Sequence, residues 1–98
     1  MIRIQVESDT QSRGVAIVRS AITAEIKKLE LALIKTNRQI GSFERKYKTT
    51  SGMFRKKMTA EDLKGGDREY IEWSGELHLR DTILKSLKQL REIQYVAR

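Results

Sequence analysis

From Ile22 to Tyr47 the apolar residues Ile22, Ile26, Leu29, Leu33, Ile40, Phe43 and Tyr47 recur at steps of four and three, with Thr36 interrupting the stripe. This heptad spacing puts them along one side of a long helix, and such a seam is buried against a second helix. At 1.5 Å per residue the segment is roughly 40 Å long, which predicts an elongated molecule. The extra four-residue step from Val18 to Ile22 to Ile26 turns the seam around the helix, and Ala24, Leu31 and Ile34 lie off it. The helix is therefore apolar over more than one narrow face, as it would be if a dimer or a foreign subunit covered part of it.

Around this helix the pattern changes. In residues 1–7, Ile2, Ile4 and Val6 alternate with Arg3, Gln5 and Glu7, the period of a strand. A lone strand must find an outside edge for its backbone groups, so residues 1–8 read as an extended arm that pairs with the same strand of another copy or adds to a partner's sheet. The polar run 8–14 turns the chain and supplies helix caps, and the long helix is expected over 12–48. Residues 51–64 read as a helical connector, with Ser51 capping a turn that carries Met53 and Phe54. Met53, Phe54, Met58 and Leu63 would plug the end of a hairpin. After Gly65-Gly66, Asp67 caps a second long helix over 67–94. Its face is Tyr70, Trp73, Leu77, Leu84 and Leu87, with Ile83 and Leu90 beside it, while Glu76 to Arg80 and Asp81 to Lys85 are spaced as outward ion pairs. The fold class is thus all-α: a single domain over 1–98, an antiparallel, coiled-coil-like hairpin of long helices with a short N-terminal β-strand or extended arm. A homodimer is expected, its seam including Leu29, Leu33, Ile40, Leu77, Leu84 and Leu87.

Composition narrows the chemistry. The 98 residues contain no Cys, which excludes disulfides, thiolate metal sites and cysteine nucleophiles. No window approaches the ~20 apolar residues of a membrane span, so the expected setting is the cytoplasm. The net charge of +7 is uneven: residues 1–57 hold thirteen Lys/Arg against five Asp/Glu, and residues 58–98 hold seven against eight. Arg45, Lys46, Lys48, Arg55, Lys56 and Lys57 bracket the hairpin tip and are the candidate nucleic-acid contacts, although an acidic protein or plain solvation explains them equally.

Catalytic and metal-binding patterns do not emerge. His78, the only histidine, sits between leucines as a boundary residue. Asp67, Glu69, Glu72 and Glu76 follow one helix and complement its dipole rather than converging on a cation. No Gly-rich phosphate loop is present, because Asp67 follows the glycine pair. The reading is a non-enzymatic protein without cofactor, metal or small-molecule substrate. Gly75, mid-helix, suggests a close approach of helices, and Trp73 reads as a core anchor that can also serve an interface.

The order Phe43-Glu44-x-Lys46-Tyr47, then Met53-Phe54, then Gly66-Asp67-x-Glu69-Tyr70-x-Glu72-Trp73 resembles the small helical-hairpin antitoxins of prokaryotic toxin–antitoxin pairs, over about residues 22–93. The chain departs from them in its basic first half and in Lys56-Lys57-Met58. The resemblance implies a protein that binds and neutralises a cognate nuclease-type toxin, with operator DNA binding by the complex as a second role. Partner contacts are expected at Ile2, Ile4, Val6, Met53, Phe54, Tyr70 and Trp73. The competing readings are a basic coiled-coil module that binds nucleic acid and an adaptor hairpin in a larger assembly.

Overall fold

The computed structural model describes residues 8–57, 63 and 66–96. The strand pattern with Ile2, Ile4 and Val6 lies outside the described residues, as does Met58. Helix α1 (Ser8–Tyr47), the short α2 (Ser51–Lys57) and α3 (Gly66–Val96) form an antiparallel hairpin in which α1 packs along α3. Its dimensions are 62 × 21 × 19 Å, in line with the ~60 Å that the 40-residue α1 spans by itself. Helix α1 begins within the polar run that was expected to be a turn: with no Pro in residues 8–14 and a long stable helix behind them, adding a turn costs little.

The heptad stripe of α1 faces inward along its whole length. The core is divided in two. At the closed end Ile40, Phe54, Leu63, Trp73 and Leu77 are buried together, with Phe43, Tyr47 and Tyr70 packed against them. Further along, Ile26, Ile83 and Leu87 form a second cluster with Ile22, Leu29, Ala32, Leu33 and Leu90 around it. Between the two, Thr36 is buried, and at the surface of this level the Arg80 guanidinium donates to Asn37 Oδ1 at 3.4 Å. Burying one such Leu, Ile or Phe side chain stabilises the fold by about 1.5–3 kcal/mol.

Several sequence expectations need correction. On α3 the seam passes through Ile83 rather than Leu84, which is 47% exposed. The stripe takes an extra three-residue step here, from Leu77 to Arg80 to Ile83, and such a step turns the seam around α3 before Leu87 and Leu90 continue it. The other residues named for a dimer seam, Leu29, Leu33, Ile40, Leu77 and Leu87, are used within this chain's own hairpin. The outward ion pairs are also redirected across the hairpin, Arg80 to Asn37 and Asp81 to Arg55 at 3.1 Å. Gly75 marks no close approach, since a Cβ there would meet nothing within 4 Å.

That open position gives a direct test. Gly75→Ala should stabilise the protein by about 0.5–1 kcal/mol, the ordinary helix preference of Ala over Gly, read as a rise in denaturation midpoint. A lower midpoint would mean that the glycine backbone is in contact with something.

Candidate protein-interaction surfaces

The closed end is assembled from the termini of all three helices. Helix α1 stops in a Schellman turn: the Thr49 amide donates to the Glu44 carbonyl at 3.1 Å, and Lys48 takes the left-handed conformation, φ 51°. Thr50, not Ser51, then caps α2, its hydroxyl accepting from the Met53 amide at 3.1 Å. Ser51 has two other tasks. Its amide donates to Glu44 Oε2 at 2.8 Å, and its hydroxyl accepts the Trp73 indole N–H at 3.1 Å.

Trp73 is 0% exposed. Its ring stacks at 3.9 Å and 10° on Phe54, with Phe43 and Tyr47 near-parallel at 5.5 and 6.0 Å, and Phe54 tilts against Tyr70 at 5.2 Å. Such pairs contribute about 0.5–1.5 kcal/mol each beyond their buried area. Of the side chains expected to meet a partner here, Trp73 and Phe54 are therefore enclosed by the chain's own aromatic rings and offer a partner no surface in this conformation. Tyr70 is half-buried. Met53 remains 41% exposed.

The basic residues of the tip divide in the same way. Lys46 reaches α3, placing Nζ 2.6 and 2.7 Å from the Glu69 carboxylate oxygens and 5.4 Å from the Tyr47 ring centre, while the Tyr47 hydroxyl donates to Glu69 at 3.0 Å. Arg55 is held by Asp81. Arg45, lying over Gly41, and Lys48 and Lys56 are exposed, and Lys57 is the last residue of α2. The hydrogen bond from Lys46 holds the Glu69 carboxyl below its ordinary 4.5, partial burial opposing. The same bond raises the Lys46 ammonium above 10.5. Among the described residues, no three His, Cys, Asp or Glu side chains converge as a metal ion would require.

At the opposite end the helices are unequal. Cross-hairpin contacts pair Tyr47 with Glu69, Asn37 with Arg80, Glu30 with Arg91 and Thr23 with Gln94, so Val96 comes level with about Ala21. Residues 8–20 of α1 run on past it. There Val15 (44%), Val18 (40%) and Ile17 (69%) are exposed, as are Ile93 (51%) and Val96 (82%) at the end of α3. Sequence reading missed this surface, although the extra step at Val18 to Ile22 was its signal. No helix among the described residues is long and apolar enough to cross a membrane. No family model, curated protein or solved structure matches the chain.

Two measurements probe the closed end. Ser51→Ala would leave a buried indole N–H unpaired and should cost about 1–3 kcal/mol in chemical denaturation, so an unchanged midpoint would remove that bond from the account. The second concerns charge. With its folded-state pKa depressed, Glu69 stabilises the fold above its unfolded value and loses that contribution as pH falls through the folded one. Lys46, raised, keeps its contribution until pH climbs through its folded value. The melting-temperature difference between wild type and Glu69→Gln should thus be present at neutral pH and shrink below the ordinary carboxylate value. A difference unchanged in acid would contradict an ionic role.

Proposed function

We propose that this protein is a non-catalytic, antitoxin-like binding protein of the cytoplasm that acts by covering and neutralising a cognate nuclease-type toxin. One observation carries the reading: α1 overruns α3 and leaves Val15 and Val18 uncovered, while Ile93 and Val96 are exposed at the end of α3. An apolar surface at the end of a rod is a cost in water and a source of affinity against a partner. Val15, Val18 and Ile22 continue the seam of α1 at helical spacing, so a partner element laid there would extend the packing that α3 begins. The strand-patterned residues 1–7 adjoin this end in sequence, in keeping with an added strand as a further contact. The Gly-Asp-x-Glu-Tyr-x-Glu-Trp stretch supports the same reading through its resemblance to antitoxins.

Operator binding by the complex fits the opposite end. Arg45, Lys48 and Lys56 are exposed there, at the far end of the 62 Å rod, so both surfaces could be occupied together.

Co-expression with the product of the adjacent gene tests the proposal. The full chain should co-purify with that protein and relieve its toxicity, whereas Val15→Asp/Val18→Asp should lose both while keeping helix content and melting temperature, because each side chain is already exposed. Equal binding and equal protection by the variant would overturn the assignment of this end.

A further inference from the structure

The side of α1 facing away from α3 has its own composition. In the heptad frame of the buried seam, the three outward columns between Arg13 and Arg45 contain Arg13, Lys27, Lys28, Lys35, Arg38 and Arg45 and no Asp or Glu. The acidic residues of this stretch all sit on the flanks of the seam. Glu30 is bridged to Arg91 at 3.0 Å, Glu44 caps α2, and Glu25 occupies the equivalent flanking position. The outward cations are all exposed. Along the centre of the same face run Ile17, Ala24 and Leu31 at seven-residue intervals, with Ala21 and Ile34 beside them. Ile17 and Leu31 are each 69% exposed and Ile34 is 56% exposed. The outside of α3 differs, mixing Glu72, Lys85, Lys88 and Glu92.

An apolar centre line with cations on both sides is one half of a coiled-coil interface, in which the facing helix supplies apolar side chains to the centre and carboxylates to the edges. We infer that the outer face of α1 from Arg13 to Arg38 is a docking surface for an acidic amphipathic helix of a protein partner. This deepens the partner-covering reading of the chain and rests on it. Other occupants fit the face less well. A second copy would set cation against cation. A nucleic-acid backbone would pair the lysines but leave Leu31 and Ile34 buried against phosphate with nothing apolar in return, and the face has no aromatic platform for bases. A lipid surface calls for a larger apolar face with aromatic or leucine-rich anchors, whereas this face has only Ile17, Leu31 and Ile34 as large apolar side chains and no aromatic one.

The test titrates the full chain with a helical peptide about three heptads long, carrying Leu at its seam positions and Glu on both edges, alongside the same peptide with Lys edges, a short DNA duplex and phosphatidylglycerol vesicles. The acidic peptide should bind. Leu31→Ser/Ile34→Ser and Lys28→Glu/Lys35→Glu should each weaken it by about tenfold or more, and the second variant should gain affinity for the Lys-edged peptide. All four side chains are exposed, so circular dichroism should show the hairpin intact in both variants. Val15→Asp/Val18→Asp, which disables the open end, should leave peptide binding unchanged. Failure of the acidic peptide to bind, or binding that neither variant weakens, overturns the inference. So does preferential binding of the duplex or vesicles that Lys28→Glu/Lys35→Glu abolishes and Leu31→Ser/Ile34→Ser leaves intact. If the adjacent gene's product does not bind the chain at all, the proposed function fails, while the peptide titration still decides this face by itself.

Discussion

A seam of apolar side chains holds two helices together without saying how far along each other they lie, because a slip of one heptad restores most of the contacts. In this hairpin the ambiguity is removed at Trp73. Its indole fills the closed end between Phe54 on one helix and Phe43 and Tyr47 on another, and its N–H has a partner in the Ser51 hydroxyl. A buried polar group with a single available acceptor penalises every other register, since each slip leaves the indole N–H unpaired. The ring also ties α2 into the core, so this helix is held by packing although it is only seven residues long.

The remaining geometry follows from that fixed point. Once Trp73 is level with Phe43 and Tyr47, Arg80 falls opposite Asn37 and Arg91 opposite Glu30. The same register makes α1 outrun α3, exposing Val15 and Val18. It also leaves the acid-free side of α1 facing outward. Five of the six aromatic residues close the hairpin end, Tyr95 being the exposed exception, and the outward side of α1 is left to aliphatic and cationic side chains.

How much of this was legible in the sequence depended on whether a feature was local. The α1 seam could be read directly, because an unbroken heptad run leaves a single face to bury. Trp73 as core anchor was legible too, being the largest apolar residue on its stripe. Features that need the register were not. Whether Leu84 or Ile83 faces inward depends on where the seam of α3 shifts against α1, and whether Asp81 turns to Lys85 or to Arg55 depends on where α2 lies. Ser51 was assigned the cap that Thr50 provides, because both have the hydroxyl and only the tertiary position of the indole chooses between them. The enclosure of Trp73 and Phe54 has the same origin: a ring at core spacing closes on its own chain first. The open end was missed because the polar residues 8–14 look like a turn until a long helix behind them carries them along.

The central claim is that α1 and α3 pair within one chain in the register set by Trp73. Because the chain has no cysteine, a variant with Thr23→Cys and Gln94→Cys carries only the two thiols at a pair of positions now joined by a 3.1 Å hydrogen bond. Treated with a short bifunctional maleimide in dilute solution, it should give an internally cross-linked species of monomer mass. Cross-linking between chains to dimer mass, or no cross-link while a pair shifted by one heptad reacts, would contradict the account.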